Sequence, residues 1–317
     1  PMMQVGAVPV FVDIDIPSYN MDMSMLEKAY SNKTKAVFIA HSLGNPFNLK
    51  AAKEFCDSHN LWLIEDNCDG LGGTYELDGV TYKTGTIGDI GTSSFYPAHQ
   101  MTMGEGGAVY SSNPLLHKII RSMRDWGREC VCTGGQDNLC GHRFDGQFGT
   151  LPAGYDHKYV YSHLGYNLKV TDMQAAIGAA QLKKLPGFVK ARQEHWDYLR
   201  AGLDDMKDYY ILPEKEKSSE PCWFGFILTV KPESGKNRNE IVKFLEDNNI
   251  QTRNLFAGNI TRHPCFEQFR EGVDYRIAET LEVTDHVMNN SFWVGVYPGM
   301  TTPMLDEMIK KIKEAVQ

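Results

Sequence analysis

The chain is poor in cysteine and in positive charge, and it has no long hydrophobic run. Seven cysteines in 317 residues, unevenly spaced, exclude the framework of a disulfide-stapled secreted domain and leave free thiols, metal ligation or redox chemistry. Lysine and arginine number 32 against 40 aspartate and glutamate, a formal net charge of -8. That balance argues against nucleic acid or an anionic membrane as partner, because phosphate surfaces demand clustered cations. No segment approaches the roughly 20 apolar residues of a membrane-spanning helix, and no charged-then-apolar leader opens the sequence. A cytoplasmic protein acting on a small molecule is expected. Internal repeats and low-complexity segments are also lacking.

What is present is an ordinary globular composition, 42% hydrophobic and 23% charged, enough for one large domain and a smaller one. The chain opens at Pro1 and runs directly into "GAVPVFVDID", which reads as a strand interior to a domain, so a preceding part of a longer protein is expected. "KAVFIAHSLG", "NLKAAKEFCDSHN" and "LWLIEDN" read as strand, helix and buried strand. Such a crossover unit gives a parallel sheet whose functional residues collect at the carboxyl ends of the strands. "GDIGTSSFYP" and "GGAVYSSN" predict two more strands, and "PLLHKIIRSMRDWG" a helix stopped by Gly127. Residues 128–165 show no period, and an aperiodic stretch of that length is usually functional or disordered. A helical pattern from Thr171 is expected to break at Pro186 and resume to about residue 203. Beyond it, "CWFGFILTV", "RNEIVKFLEDNN", "FWVGVYP" and "TPMLDEMIKKIKEAV" alternate strand and helix as a small α+β domain. Residues 1–205 are therefore assigned to a large α/β domain and 206–317 to the small one.

Asp66 ends a buried strand, where a carboxylate can face a ligand or simply cap a turn. Ser94 ends another strand, and Gly104, Gly106 and Gly107 flank the next, as a backbone approaching a phosphate requires. An ordinary hairpin turn is the plainer reading of the same glycines. "CVCTGGQDNLC" places Cys130, Cys132 and Cys140 on one loop, a spacing suited to a tetrahedral zinc or iron–sulfur centre. Cys68 is the candidate fourth ligand. Cys56, Cys222 and Cys265 read as unrelated buried thiols.

The runs "IEDNCDGLGG", "SFYPAHQMTMGEGGAV" and "GYNLKVTDMQAAIGAAQL" together resemble the DegT-type sugar aminotransferase family of pyridoxal phosphate enzymes, with the aspartate aminotransferase fold (PLP fold type I), over nearly the whole chain. The resemblance implies that Asp66 pairs with the cofactor's pyridinium nitrogen and that Ser94 holds its phosphate. It also implies that Asn167 reaches a phosphate in the neighbouring subunit of a homodimer. The family's glycine and serine phosphate loop and its ring-stacking aromatic are expected upstream of Pro1. "RNLFAGNITRHP" resembles the segment near the sugar nucleotide, offering Arg253 and Arg262 as diphosphate contacts. Exposed helix-end arginines are the simpler account.

His99 stands where the aminotransferases carry the lysine that binds pyridoxal phosphate covalently. Imidazole forms no stable imine, but its unperturbed pKa of about 6.5 suits proton transfer near neutral pH. Tyr96 and Asp69 also depart from the aminotransferase pattern, where histidine stands at the first position and glutamine or histidine at the second. The combination is similar to the pyridoxamine-dependent sugar 3-dehydratases, with His99, Tyr96 and Asp69 at the reacting centre. One cysteine upstream, a C-x-C and a third cysteine further resemble the iron–sulfur branch of that group. That branch implies pyridoxamine 5'-phosphate (PMP/PLP), a [2Fe-2S] cluster on Cys68, Cys130, Cys132 and Cys140, and a CDP-4-dehydro-6-deoxyglucose substrate. It further implies an NADH-dependent iron–sulfur flavin reductase as partner and a place in 3,6-dideoxyhexose and O-antigen biosynthesis. A cluster-free GDP- or dTDP-sugar 3-dehydratase and a non-catalytic metal-binding homologue are the alternatives.

Overall fold

The computed structural model describes residues 1–130, 132 and 136–317. Residues 131 and 133–135 of the cysteine loop lie outside the described residues.

The predicted crossover unit forms as β1 (Ala36–Ala40), α1 (Leu49–His59) and β2 (Trp62–Asp66). Asn48 caps α1 by accepting from the Ala51 N–H at 3.0 Å, and Asn60 closes it in the left-handed conformation, with φ +53°. Leu49, Ala52 and Cys56 fall on one face of α1 and are buried, which is the helical repeat that turns an apolar stripe onto a sheet. β3 (Ile90–Ser94) and β4 (Gly107–Tyr110) complete a sheet of order β1-β2-β3-β4. The first two pairings are parallel and the last antiparallel. The core beneath this sheet includes Val37, Ile39, Phe47 and Leu63. Phe38, Trp62 and Val109 are exposed.

After α2 (Pro114–Arg124), the described residues of 128–165 contain one 3-10 turn, His157–Tyr159, and the single bridge Arg128 to Tyr161. α3 (Asp172–Leu182) begins with a capping box between Thr171 and Gln174. α4 (Leu185–Gly202) follows. The expected break at Pro186 is corrected: it falls at residues 183 and 184, and Pro186 sits in the first turn of α4. Proline is tolerated there because first-turn N–H groups need no helical partner.

The C-terminal sheet is antiparallel, built from β5 (Tyr210–Ile211), β6 (Gly225–Val230), β7 (Thr252–Arg253) and β8 (Ser291–Gly295), in the order β5-β6-β8-β7. α5 (Arg238–Asp247), α6 (Glu282–Asn290) and α7 (Thr302–Glu314) accompany it. Its core takes Phe226, Leu228, Phe292 and Ile312 together with Trp196 and Leu199 of α4. Trp196 stacks on Trp223 at 4.0 Å between ring centroids. α4 thus ties the C-terminal layer to the segment ahead of it. The opening segment also crosses over, since Val10–Phe11 pairs in parallel with Arg276–Ile277.

Candidate active site

Two loops converge at the carboxyl edge of the β1-β2-β3 sheet. Register places Asp66 opposite Thr92, and the Asp66 carboxylate oxygen Oδ1 accepts from the Thr92 hydroxyl at 3.2 Å and from the Cys68 N–H at 3.1 Å. Ser94 ends β3, two residues beyond Thr92 along the same strand. Its Oγ accepts from the Tyr96 N–H at 3.3 Å, so the hydroxyl sits at the start of the turn that carries His99.

That turn is fastened at both ends and in the middle. Phe95 donates to Gly106 and Met103 donates to Phe95, each at 2.9 Å. Gln100, buried, donates from Nε2 to the Asp69 carbonyl and, at 3.2 Å, to the Cys222 carbonyl. Gly44 allows the facing loop to approach. Its φ is +89°, and a Cβ there would stand 2.1 Å from the Cys222 carbonyl oxygen, which no other residue tolerates.

His99 Nε2 lies 3.4 Å from Asp69 Oδ1, and Asp69 is buried. The imidazole meets Phe224 edge-on at 5.2 Å and Tyr96 at 5.8 Å. Its Nδ1 is buried and has no hydrogen-bond partner among the described residues. A cavity of about 1510 Å³ has His99 and Tyr96 on its wall together with Phe224, Trp293 and Arg253. It opens between the His99 turn and the C-terminal sheet. Asp66, Ser94 and Asn167 are not on that wall.

The structure therefore brings together Asp66, Cys68, Asp69, Ser94, Tyr96 and His99. Asn167 stands apart: it is exposed, bridges to Asp125 and accepts from Lys169 Nζ at 3.2 Å. Exposed Leu164, Leu168 and Met173 surround it in sequence. Arg253 reaches the cavity, whereas Arg262 is paired with Asp285.

The cysteines divide into three settings. Cys130 and Cys132 are hydrogen-bonded to each other and line a second cavity of about 640 Å³ with Lys118, Arg128 and Lys158. Burial is the main reason the Cys130 thiol is pushed up. Cys140 is exposed and lies 3.7 Å from His157 Nε2. Burial, with the Asp69 and Asp66 charges beside it, drives the Cys68 thiol far above its ordinary range. No three of these four sulfurs lie within 4.8 Å of one another. A two-iron cluster of this kind takes four thiolates. Cys130 and Cys132 fit as one pair of them, while Cys68 and Cys140 face other groups, so the structure does not close the set.

The donor set for a pyridoxamine-type cofactor fits better. A carboxylate and a hydroxyl occupy the ends of two adjacent strands, and an imidazole with a buried nitrogen unpartnered among the described residues lies on the turn that follows the second.

A family model, the DegT/DnrJ/EryC1/StrS aminotransferase family, matches residues 1–313. The chain belongs to this family. It is 55% identical over 314 residues to the lipopolysaccharide biosynthesis protein RfbH of Salmonella typhimurium, covering 99% of this chain and 70% of that protein. It is 49% identical to a dTDP-4-dehydro-2,6-dideoxy-D-glucose 3-dehydratase of Saccharopolyspora spinosa, covering 100% of this chain and 66% of that one. Among solved structures, the Escherichia coli GDP-4-keto-6-deoxy-D-mannose-3-dehydratase with bound hydrated PLP superposes with a TM-score of 0.83 at 26% identity. That likeness covers 100% of this chain and 76% of the other. These neighbours accord with the α/β aminotransferase-like fold read from the sequence.

Three residues that position this family site escaped sequence reasoning. Arg192, buried, donates to the His99 carbonyl at 3.3 Å, Gln100 holds Asp69, and Phe224 packs on the imidazole. Arg192 and Phe224 lie more than 90 residues from His99 in sequence and carry no motif, so only the fold reveals them. Gln100 adjoins His99 and gave no signal beyond that adjacency.

Proposed function

We propose that the chain catalyses C3 dehydration of a nucleotide-linked 4-keto-6-deoxyhexose with pyridoxamine 5'-phosphate, His99 being the proton-transfer residue. The observation that carries this reading is the His99 imidazole, 3.4 Å from the Asp69 carboxylate, on the wall of the large cavity. It stands at the position where an aminotransferase would have lysine.

When bound, the cofactor supplies an amine that links to the sugar's C4 ketone and a ring that accepts electrons as the C3–oxygen bond breaks. Asp66 faces the ring nitrogen and keeps it protonated by its negative charge. Ser94 donates its hydroxyl to the cofactor phosphate. His99 moves the proton at the cofactor's C4′ carbon, and Asp69 orients the imidazole by engaging its Nε2 edge. Tyr96 and Phe224 flank the ring and exclude water from it. Asn167, on an exposed apolar stretch, serves the partner subunit's phosphate in a homodimer.

The finer reading is CDP-4-dehydro-6-deoxyglucose as substrate, with a [2Fe-2S] cluster on Cys68, Cys130, Cys132 and Cys140. An NADH-dependent iron–sulfur flavin reductase would complete deoxygenation in 3,6-dideoxyhexose biosynthesis. The C-x-C pair beside a basic cavity supports it. A cluster-free dehydration of a dTDP- or GDP-sugar is the second reading, favoured by relatives bearing those names.

The test is dehydration of the CDP-, dTDP- and GDP-linked 4-keto sugars by cofactor-loaded protein purified without air, with iron and acid-labile sulfide measured on the same sample. About two irons and two sulfides per chain, with turnover of the CDP-sugar, are expected. Turnover of another nucleotide sugar without iron selects the second reading, and no dehydration of any of them ends both.

A further inference from the structure

The four cysteines of the cluster reading divide between two places in the fold. Cys68 stands at the carboxyl edge of the sheet, its sulfur within 4.8 Å of an Asp69 carboxylate oxygen and a His99 ring nitrogen. Cys130 and Cys132 line the basic cavity, and among the described residues its wall has none in common with that of the cavity beside His99. We infer that the set is closed between two copies of the chain: Cys130, Cys132 and Cys140 of one protomer hold a [2Fe-2S] cluster together with the partner subunit's Cys68. This rests on the proposed function, in its cluster and in Asn167 serving the other subunit.

The loop thiols and Asn167 belong to one hydrogen-bonded hairpin. Asp125 bridges to Asn167, and Arg128 to Tyr161. The Trp126 N–H donates to the Tyr166 carbonyl at 2.9 Å, and the Glu129 N–H to the Val160 carbonyl at 3.0 Å. The two limbs touch at Gly127, where a Cβ would stand 1.9 Å from the His163 carbonyl oxygen. Cys130 follows Asp125 by a stretch that reaches at most roughly 17 Å. Any docking that carries Asn167 to the other subunit's cofactor site therefore carries Cys130 and Cys132 with it.

The destination holds the missing thiol. Cys68 and Ser94 leave the sheet from one point, each two residues past the pair Asp66 and Thr92, on neighbouring strands about 4.8 Å apart. The partner subunit's Cys68 therefore stands beside the partner subunit's Ser94, where Asn167 is carried. The hairpin and the helix after it present an apolar face, with Leu164 97% exposed, Met173 78% and Leu168 65%. A second copy covering that face removes apolar surface from water, and two-fold symmetry seats each hairpin on the other subunit's sheet edge.

Charge agrees with this placement. Two ferric ions, two sulfides and four thiolates carry a net charge of about -2, and Lys118, Arg128 and Lys158 line the cavity of the loop thiols. Assembly from ferric ion and sulfide exchanges the thiol S–H bonds for sulfur–iron bonds and releases their protons, with no change of oxidation state. Each chain still accounts for one cluster.

Mixed dimers test the sharing. Two full chains bearing different affinity tags are produced together, the mixed dimer is isolated through both tags without air, and its iron and acid-labile sulfide are measured. In the first dimer one subunit carries Cys68→Ser and the other Cys132→Ser. Sharing leaves one site whole, so about two irons and two sulfides per dimer are expected, while the homodimer of either variant holds none. In the second dimer both substitutions lie in one subunit and the other is unsubstituted. Sharing then breaks both sites, and the iron should be lost. Cys68→Ala in place of Cys68→Ser repeats the comparison with a side chain suited to this half-buried position.

Iron lost from the first dimer and kept in the second overturns the shared site and leaves the cluster reading standing. Any other pattern overturns it too when the unsubstituted chain holds iron, as does iron on a chain that stays monomeric. Absence of iron from the unsubstituted chain removes the cluster reading and this inference together.

Discussion

Arg192 donates from Nη2 to the His99 carbonyl at 3.3 Å, across 93 residues of sequence. The same guanidinium donates from Nη1 to the Trp223 carbonyl at 3.1 Å and to the Val296 carbonyl. It is 2% exposed, and burial pulls its pKa down from the ordinary arginine range. The turn bearing His99 is thus hung from the C-terminal layer by a buried cation whose listeners are backbone carbonyls, and α4 delivers it.

Replacing Arg192 with Met leaves three carbonyls, two of them buried, without this donor. A destabilisation of about 2–4 kcal/mol is expected from the unsatisfied groups, read as a lower urea midpoint at constant slope. Arg192→Lys keeps the charge but loses the planar fork. It should recover part of the stability while dehydration remains slow, with kcat reduced more than KM rises. Full activity in the lysine variant would show that the His99 carbonyl contact does not position the imidazole.

Glu65 is buried one residue before Asp66. Its Oε1 accepts from the Ile87 and Gly88 N–H groups at 2.7 and 2.5 Å. Its Oε2 accepts from Gly85 at 2.7 Å and meets His41 Nε2 at 3.0 Å. Burial alone would raise this carboxyl, but His41 and the backbone donors outweigh it and hold the pKa below the usual value. A folded pKa below the unfolded value of about 4.3 means that the contribution is complete above that pH and disappears as pH falls through the folded pKa. Glu65→Gln should therefore be less stable at pH 7 by about 1–3 kcal/mol, and the difference from the unsubstituted chain should shrink below about pH 4. Denaturant melts at the two pH values check this.

The parts of the fold written in local patterns were legible. The 3.6-residue stripe of α1 and the apolar runs of β1 and β2 predict their elements because burial on one face is a local property of the sequence. Asp66 and Ser94 could be proposed as site residues because they match a family pattern, and Asp69, Tyr96 and His99 because the chain departs from it there. Contacts between distant segments were not. Nothing in "VPVFV" says that Val10–Phe11 will pair with Arg276–Ile277, and nothing near Arg192 says that it will reach His99. Cysteine spacing suggested a metal loop, but it could not show that Cys68 faces Asp69 and His99, because that orientation follows from the Asp66 hydrogen bonds.

Thiol reactivity offers an independent reading of the burial pattern. Burial pushes Cys222 up to about 12 and Cys56 up to about 11, while Cys140 is exposed and so, against the buried position expected of it, is Cys265. Only the thiolate reacts at a useful rate. Iodoacetamide at about pH 8, near the ordinary thiol range, should modify Cys265 first, and Cys140 with it in metal-free protein. Cys56 and Cys222 should react only on unfolding, as read by peptide mass spectrometry. Early labelling of Cys222 would mean that the Gly44–Cys222 approach opens in solution.

The last prediction concerns the residue at position 99 itself. Lysine there restores an amine able to hold pyridoxal phosphate covalently, which imidazole cannot do. His99→Lys should therefore retain the cofactor after borohydride reduction and lose dehydration, whereas His99→Asn should lose dehydration without covalent retention. Gln100 and Arg192 fix the backbone at and beside this position through contacts that do not involve the side chain. Both substitutions should consequently leave the fold and the unfolding midpoint nearly unchanged. Lost dehydration in a folded His99→Asn protein that still binds pyridoxamine phosphate assigns the proton transfer to the imidazole, because the binding residues Asp66 and Ser94 are untouched. Dehydration that persists in either variant would pass that proton to another group and leave His99 as a partner of Asp69 alone.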